Sequence, residues 1–367
     1  MRLLSLFSGI GAFEMALKNI KIEYELVGFS EIDKYAIKSY CSIHDVNENL
    51  NLGDITKIDI KLLQNNIDII THGSPCQDFS IAGRQEGGDK NSNTRSSLMW
   101  NTVEIVKHCK PKYVIWENVK NVLSEKHRHN FDKYLKELEN LGYTNYYKIL
   151  NSKDYGVPQN RERVFVVSVL GKHKPYEFPT GFKLTKCLRD ILEEEVDSKY
   201  YVSPEVQSKF KPNKNIKNDS NSPFRLGGLF DTNNSKHQAG SVWDIEGVSP
   251  TLDTMQGGYR QPCIIDNTNI VGKLECEGWY DIETRVHDTN GISPTIETRN
   301  RGKYIDHNNG KIRKLTPREC FRLMGLSENY IDKIQNTGIS NTQQYKQAGN
   351  SIVVNVLEAI FKNLFLK

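Results

Sequence analysis

The sequence predicts an α/β protein with a mostly parallel sheet and a smaller, loop-rich second domain that contains β structure. Up to about residue 180, short apolar runs alternate with helical patterns, which is typical of βα units. Beyond residue 182 the chain becomes rich in Asn, Lys, Ser and Gly. The total of 367 residues is enough for two domains. We therefore expect one domain from residues 1–182, completed by residues 344–367, and a second from residues 183–343.

The strands predicted for the first domain are continuous apolar runs, which suit strands buried on both faces of a sheet. They comprise residues 3–7, 25–29, 67–71, 113–116 and 164–170. Residues 130–141 repeat apolar side chains at three- and four-residue spacing, and Gly142 ends this predicted helix. Near the C-terminus, Asn350 and Ser351 are predicted to cap a helix whose apolar face docks on the first sheet.

Composition and cysteine pattern exclude several classes of protein. No apolar run approaches the roughly 18 residues of a membrane span, and the N-terminus shows no cleavage signal, so we expect a cytoplasmic protein without a membrane partner. The net charge of +4 permits a polyanionic partner without requiring one. The seven cysteines are scattered and never form C-x-x-C, so we expect neither a disulfide framework nor a metal site.

The second domain contains an internal doublet. Residues 244–254, Asp-Ile-Glu-Gly-Val-Ser-Pro-Thr-Leu-Asp-Thr, recur as residues 288–298, Asp-Thr-Asn-Gly-Ile-Ser-Pro-Thr-Ile-Glu-Thr. Two copies are too few for a solenoid. The doublet is either a duplicated structural unit or a pair of loops that face a quasi-repetitive ligand.

Glycines follow the first predicted strand in the segment that begins Phe7-Ser-Gly9-Ile-Gly11. They allow a tight turn and a close approach of a ligand to the backbone. A dinucleotide fingerprint needs a third glycine where Glu14 stands, so a nucleoside without a pyrophosphate fits better. Glu31, at the end of the second strand, is placed to bind ribose hydroxyls. A purely structural turn with a surface carboxylate is the alternative.

Three further strand ends carry reactive side chains. Cys76 lies in a Gly- and Pro-containing loop after the third strand, where it is either an activated thiolate or inert filler. Glu117 ends an apolar strand, which would raise its pKa unless it is simply a surface residue. Arg161 and Arg163 alternate and so share one face, where they could bind a carboxylate, a phosphate or a carbonyl, or pair with Glu162.

These motifs, in this order, resemble those of the DNA cytosine-5 methyltransferases. The resemblance extends from residue 7 to residue 351 and is carried by Phe7-x-Gly9-x-Gly11, Gly73-Ser-Pro75-Cys76-Gln77, Glu117-Asn118-Val119, Gln159-x-Arg161-x-Arg163, residues 313–320 and Gln347-Ala-Gly349-Asn350-Ser351. It implies a Rossmann-like methyltransferase fold. It also implies that residues 1–182 with 344–367 form the catalytic and cofactor-binding domain, and that residues 183–343 form the target-recognition domain and hinge.

The resemblance implies methyl transfer from S-adenosyl-L-methionine, leaving S-adenosyl-L-homocysteine, to C5 of a cytosine flipped out of duplex DNA. Cys76 would bond to C6, Glu117 would bind N3, and Arg163 would support the carbonyl side, with Arg161 of the same motif as a further catalytic residue. The implied cofactor site comprises Phe7, Gly9, Gly11, Glu31, Ile32, Asp54, Ile55, Leu98, Asn350 and Ser351. No metal is implied.

Arginines are the candidate DNA contacts, to base edges or to phosphates. They are Arg84, Arg225, Arg260, Arg285, Arg299 and Arg301. Arg84 begins a polar segment, residues 84–97, that is either a mobile loop folding over DNA or a surface loop without function.

Two other functions stay open on the sequence alone: a tRNA cytosine-5 methyltransferase of the same fold, and a catalytically idle DNA-binding regulator. We expect double-stranded DNA as the partner and a monomeric protein. A cognate restriction endonuclease would be a genetic rather than a physical partner, and an orphan or phage-borne enzyme would have the same sequence features.

Overall fold

The fold is taken from a computed structural model. It describes residues 1–63, 66–75, 95–209, 211–212, 222–232, 235–245, 247–255, 260–266, 272–273, 285–288, 303–305 and 311–366. The helices are α1 (Ala12–Asn19), α2 (Lys34–His44), α3 (Met99–Cys109), α4 (Arg128–Asn140), α5 (Pro204–Gln207), α6 (Pro317–Arg322), α7 (Glu328–Asn336), α8 (Asn341–Asn350) and α9 (Val354–Phe365).

The larger sheet has six strands, β1 (Arg2–Leu6), β2 (Glu25–Ser30), β3 (Ile69–His72), β4 (Tyr113–Val119), β5 (Tyr143–Asn151) and β6 (Glu162–Leu170). Their spatial order is β2-β1-β3-β4-β6-β5. Strands β2, β1, β3 and β4 pair in parallel, whereas β6 pairs antiparallel with both β4 and β5. This confirms the predicted α/β class with a mostly parallel sheet.

Helices cover both faces of the larger sheet. Successive strand residues point to opposite faces, so Leu3 packs in the cluster that contains α1 and α9, and Leu4 packs in the cluster that contains α3 and α4. The same division separates Ile69 from Ile70. Both faces of each strand are therefore apolar, which explains why the strands read as continuous apolar runs.

A second region carries the smaller sheets. Its strands are β7 (Lys211–Pro212), β8 (Arg225–Gly228), β9 (Ser241–Trp243), β10 (Cys263–Asp266), β11 (Gly272–Lys273), β12 (Arg285–Asp288), β13 (Lys303–Ile305) and β14 (Lys311–Lys314). Five of them form a sheet in the order β14-β10-β9-β8-β7, and three form a sheet in the order β11-β12-β13. The five-stranded sheet has a small apolar cluster of its own, built from Val202, Leu229, Val242, Cys263 and Ile312.

Helices α6 and α7 lie within the segment expected to form the second domain, yet they pack with the first. Phe321 of α6 and Ile331 and Ile334 of α7 belong to the same apolar cluster as α1 and α9. The core of the first domain therefore draws on residues well before position 344.

The structure corrects two details of the predicted elements. Strand β5 has no counterpart among the predicted strands, because it is an edge strand whose residues are mostly exposed or half-buried. The cap predicted at Asn350 and Ser351 is also wrong: Asn350 is the last residue of α8, Ser351 is its C-cap, and Val353 precedes α9. Ser351 and Val353 have extended backbone, which separates the two helices.

Within the described residues, no helix is long and apolar enough to cross a membrane. The same residues hold no group of three or more His, Cys, Asp or Glu side chains arranged for a metal ion. Five cysteines have free thiols: Cys41, Cys109, Cys187, Cys263 and Cys320.

Candidate active site

The turn after β1 has an unusual backbone. Phe7, Gly9 and Gly11 have left-handed φ angles of 53°, 55° and 82°. Glycine adopts such angles readily, whereas Phe7 does so at a conformational cost. A Cβ atom at Gly11 would lie 2.1 Å from Nε2 of the buried His44, so a larger residue does not fit there. A Cβ atom at Gly9 would meet no atom of the described residues within 4 Å, so they leave open space beside this part of the turn.

The Glu31 carboxylate joins the end of β2 to this turn. Its Oε2 accepts a 2.9 Å hydrogen bond from the Gly9 amide, and its Oε1 accepts hydrogen bonds from the amides of Ile32 and Asp33. An ionised carboxylate offers about four acceptor positions, so capacity remains for a ligand hydroxyl. The neighbouring Ile32 is 74% exposed, which leaves an apolar surface beside the open space.

The segment that contains Asp54 and Ile55 runs along the same edge. The Asn51 side-chain oxygen accepts hydrogen bonds from the amides of Glu31 and Gly53, which fixes this segment against the end of β2. Asp54 caps a short 3-10 helix, and Ile55 is buried in the cluster on the α3 side of the sheet. Hydrogen bonds from backbone amides to the side chains of Glu31 and Asn51 thus hold together the turn after β1, the end of β2 and this segment.

The other predicted cofactor residues lie on different elements. Leu98 precedes α3 and is partly buried against the same cluster as Ile55. Asn350 ends α8 with an exposed side chain, whereas Ser351 is buried. Ile352 follows directly, and its Cδ1 lies 3.6 Å from where a Cβ atom at Gly73 would stand. The chain after α8 therefore passes beside the end of β3.

Glu117 and Arg163 form an ion pair at the end of β4. The register pairs Glu117 with Phe165 and Val119 with Arg163, so Glu117 and Arg163 are diagonal neighbours on one face. Arg163 Nε lies 3.1 Å from Glu117 Oε1, and both side chains are largely buried. Burial raises the pKa of the Glu117 carboxyl, and the charges of Arg163 and Arg161 oppose this rise. The net direction agrees with the sequence-based expectation for a carboxyl at the end of an apolar strand.

The segment that leads to Cys76 is held against β4. Trp116 Nε1 donates a 3.0 Å hydrogen bond to Ser74 Oγ, and Asn118 Nδ2 donates a 3.2 Å hydrogen bond to Ser74 O. A Cβ atom at Gly73 would stand 3.9 Å from Glu117 Oε2. Cys76 itself lies outside the described residues. The described chain nevertheless brings Gly73, three positions earlier, to the Glu117 carboxyl.

Arg161 has different partners from Arg163. Its guanidinium donates hydrogen bonds to the backbone carbonyls of Leu252, Gly349 and Ser351, at 2.9, 3.0 and 2.8 Å. The side chain is buried. Both arginines were predicted to be catalytic, yet these hydrogen bonds of the Arg161 guanidinium go to backbone carbonyls, whereas Arg163 contacts Glu117.

A family model for C-5 cytosine-specific DNA methylases matches residues 1–366. The chain belongs to this family. The orphan methyltransferase M.SPBetaI of Bacillus phage SPbeta is 36% identical over an alignment 440 positions long, which covers 99% of this chain and 97% of that protein. The type II methyltransferase M.HhaI of Haemophilus parahaemolyticus is 30% identical over 367 aligned residues, which cover 99% of this chain and 94% of that protein.

Solved structures agree in fold. The S. pombe Dnmt2 methyltransferase matches with a TM-score of 0.62 at 19% identity, over 100% of this chain and 98% of that one. At this identity the likeness shows the fold alone. Together with the family match, it makes this protein a DNA cytosine-5 methyltransferase with the α/β fold of such enzymes.

The methylase's candidate DNA-contacting arginines have different environments. Arg225 donates two hydrogen bonds to the Asp231 carboxylate, at 2.8 and 2.7 Å, and one to Ser241 Oγ. Its guanidinium is therefore engaged with partners in the region of the five-stranded sheet. Arg260 has an exposed side chain, and Arg285 lies in β12. The remaining candidates, Arg84, Arg299 and Arg301, lie outside the described residues, as does the rest of the predicted loop up to residue 94.

The first copy of the doublet is bound to the segment 158–160, which precedes β6 in the chain. The Ser249 amide donates to Pro158 O at 2.7 Å, the Asn160 amide donates to Ser249 O at 2.8 Å, and Thr251 Oγ1 donates to Asn160 O at 2.6 Å. This copy therefore has a structural attachment at its backbone. Most of the second copy, residues 289–298, lies outside the described residues.

Sequence reasoning assigned no role to Gln159, although it stands in the same motif as the two arginines. Its Nε2 donates a 2.6 Å hydrogen bond to Leu323 O, and its Oε1 accepts one from the Leu252 amide at 3.2 Å. The signal available from the sequence was an amide side chain in a polar motif, two residues before Arg161. Gly349 was quoted in a motif without a role as well, and its backbone lies against Asp253 and Thr254.

Proposed function

We propose that this chain transfers a methyl group from S-adenosylmethionine to C5 of a cytosine flipped out of a specific duplex DNA sequence. The reaction proceeds through a covalent bond between Cys76 and C6 of the base. The observation that carries the proposal is the pairing of Glu117 with Arg163 beside the segment that leads to Cys76. The Glu117 carboxyl, the Arg163 guanidinium and the segment that leads to the Cys76 thiol thus lie near the carboxyl ends of β3 and β4. Open α/β sheets bind their ligands at such ends.

Each side chain supplies one part of the chemistry. The Cys76 thiolate adds to C6, and the electron pair displaced from the C5–C6 bond moves toward N3 and O2 of the ring. Glu117 donates a proton to N3, and the burial that raises the pKa of its carboxyl favours the protonated form that this step needs. Arg163 keeps Glu117 in place and faces the side of the ring that carries O2. C5 then takes the methyl group with departure of S-adenosylhomocysteine, a base removes the C5 proton, and the re-formed C5–C6 double bond releases the Cys76 thiolate while N3 returns its proton to Glu117.

The turn after β1 fits the nucleoside part of the methyl donor. The open space beside Gly9, the unused acceptor capacity of Glu31 and the exposed Ile32 would accept a ribose and a base without a phosphate cradle. S-adenosylmethionine would supply an electrophilic methyl group there. Phe7 and Ile55 would complete the apolar walls, and the chain around Ser351 would close the methionine end.

A mechanism-based probe tests the covalent step. A duplex that contains 5-fluorocytosine cannot lose a proton from C5, so the bond between Cys76 and C6 persists after methyl transfer. We expect the duplex to remain attached to the wild-type chain in denaturing electrophoresis when S-adenosylmethionine is present, and Cys76→Ala to form no adduct. A protein that binds such DNA without any adduct would instead be a catalytically idle regulator.

The role of Glu117 is tested with an isosteric change. Glu117→Gln removes the transferable proton while conserving shape, so we expect methyl transfer to slow by about a hundred-fold or more in a single-turnover assay. Glu162→Gln is the matched control, because Glu162 is a neighbouring exposed carboxylate that pairs with Lys120 at 3.0 Å. It should retain wild-type activity, and an equal loss in both variants would contradict the assignment.

The substrate is tested by offering DNA and tRNA to the same enzyme preparation. We expect methyl transfer to duplex DNA and none to tRNA. Sequencing of DNA from cells that express the chain, by bisulfite or nanopore methods, identifies the methylated base and its recognition sequence together. Methylation confined to tRNA would overturn the choice of substrate but leave the covalent mechanism intact.

A further inference from the structure

Three segments that are far apart in the chain meet at one guanidinium. We call residues 249–253, from the first doublet copy, the recognition strap, and residues 349–351, between α8 and α9, the closing turn. Arg161 donates through Nη1 to Leu252 O of the strap and through Nη2 to Gly349 O and Ser351 O of the closing turn. The strap belongs to the target-recognition region, whereas the closing turn borders the proposed cofactor pocket.

The recognition strap and the closing turn also touch directly. A Cβ atom at Gly349 would stand 1.8 Å from Asp253 O, so the strap backbone occupies the space of a side chain at this position. Gly349 is helical and has no left-handed φ angle to explain its presence. The absence of a side chain therefore serves the close approach of two backbones.

The strap has little freedom to move independently of Arg161. Gln159 Oε1 accepts a hydrogen bond from the Leu252 amide, next to the carbonyl that Arg161 binds, and Gln159 and Ser249 form a parallel β-bridge. Arg163, two positions after Arg161 in the chain, contacts Glu117 at 3.1 Å. A shift of the strap is thus transmitted at one end to the closing turn and at the other to the strand that carries the ion pair.

We propose that Arg161 is a positioning residue that couples DNA engagement by the recognition strap to closure of the cofactor pocket by the closing turn. This inference rests on the proposed function, because it takes the two ligands from there. It requires that each ligand favours the arrangement in which the guanidinium bridges both segments. Binding of either ligand then strengthens binding of the other by the same factor.

An arginine is suited to this task for a geometric reason. The planar guanidinium presents its two Nη groups in a fixed fork, so carbonyls on two segments can be held at once. A lysine ammonium retains the charge but is a single point donor on a flexible stem. Arg161→Lys therefore removes the bridge while conserving the buried positive charge.

The test measures the dissociation constant of S-adenosylhomocysteine with and without a duplex that carries the target sequence found by the methylation mapping. The full chain is used, and the ratio of the two constants is the readout. In the wild type we expect the duplex to tighten binding by about ten-fold, and S-adenosylhomocysteine to tighten duplex binding by the same factor. In Arg161→Lys both ratios fall to about one, whereas a residue that only stabilises the fold would leave them unchanged.

Arg322→Lys is the matched control. Arg322 also donates to a backbone carbonyl, that of Ile191 at 3.0 Å, and pairs with Glu328, but it contacts neither the strap nor the closing turn in the described residues. Its ratio should equal that of the wild type. A ratio of one in the wild type, or a wild-type ratio in folded Arg161→Lys, would overturn the coupling.

A second variant tests the same junction if Arg161→Lys does not fold. Gly349→Ala leaves the guanidinium intact and improves intrinsic helix propensity, but its methyl group forces Asp253 away from the closing turn. We expect its ratio to fall toward one as well, and an unchanged ratio would count against the proposal. Failure of the proposed function is distinguishable, because the wild type would then bind no S-adenosylhomocysteine and form no adduct with 5-fluorocytosine DNA.

Discussion

The six-stranded sheet and the five-stranded sheet are stabilised in different ways. The larger one is covered by helices on both faces, and its two apolar clusters include large buried side chains such as Trp116 and Phe361. The smaller one has a cluster of five buried residues, and Arg225 reinforces it through hydrogen bonds to Asp231 and Ser241. Apolar burial therefore accounts for the first sheet, whereas the second depends on polar contacts and on its attachment to the first.

The smaller sheet is attached to the larger core through a buried ion pair and a hydrogen bond from a backbone amide. Arg313 of β14 forms two hydrogen bonds with Glu319 of α6, both at 2.9 Å, and these side chains are 1% and 0% exposed. Glu319 also accepts a hydrogen bond from the Thr316 amide in a capping box. The smaller sheet is thus followed by a helix whose Phe321 belongs to the larger core.

The largest effect should follow from truncating the larger core. Phe361 of α9 is fully buried and packs against Phe13 and Phe365. Phe361→Ala should lower the free energy of unfolding by about 4 kcal/mol, because it removes a ring and leaves a cavity. Val242→Ala, in the small cluster, should cost about 2 kcal/mol, since it removes far less apolar surface. Urea denaturation followed by tryptophan fluorescence measures both, and equal costs would contradict the contrast between the sheets.

The next effect comes from the buried ion pair between β14 of the smaller sheet and α6. Glu319→Gln leaves the Arg313 charge buried without its counter-ion and should lower stability by about 3 kcal/mol. Asp132→Asn is the control, because it breaks an exposed pair with Arg128 and should cost about 0.5 kcal/mol or less. Both values are available from the same denaturation experiment. A small loss in Glu319→Gln would show that the attachment does not depend on this pair.

The smallest effects are dependences on pH that have opposite signs in the two regions. Burial raises the pKa of Glu14 in α1, so the folded state keeps this proton to higher pH than the unfolded chain does. Its contribution to stability is present below the unfolded pKa and is lost as the pH rises through the folded value. Hydrogen bonds from Arg225 lower the pKa of Asp231, so its contribution is present above the unfolded pKa and is lost as the pH falls.

Two neutral variants separate these contributions. Glu14→Gln should flatten the decline of stability above about pH 4.5, and Asp231→Asn should flatten the decline below about pH 4. Denaturation midpoints measured between pH 3 and pH 8 test both. One variant belongs to each region of the molecule. If both changed the pH dependence of stability in the same direction, the distinction between a desolvated carboxyl and a charge-paired one would be refuted.

Prediction from sequence succeeded for the strands that are buried on both faces of the sheet. The central strands are apolar on both faces, so each was found within a few residues of its observed bounds. Strand β5 was missed because it lies at the edge and its residues, such as Tyr147 and Lys148, are largely exposed. The cap at Asn350 and Ser351 was misplaced because an Asn-Ser pair suits the end of one helix as well as the start of the next.

The candidate site shows the same limit. The motifs located the strand ends where Glu31 and Glu117 lie, because carboxyl ends of parallel strands converge on one edge by topology alone. They did not separate Arg161 from Arg163, which alternate in sequence and were both expected to be catalytic. Nor did they show that one copy of the doublet is bound to residues 158–160.

The sequence by itself determined the fold class and the family, and it indicated the sheet edge at which we propose that the chemistry takes place, because these follow from local apolar periodicity and from motif order. The tertiary structure alone decided that Arg163 meets Glu117 while Arg161 joins Leu252 to Gly349 and Ser351. The physical reason is that a hydrogen bond depends on distance in space. Residues almost two hundred positions apart come within 3 Å only after the sheet, the strap and the last helices have packed.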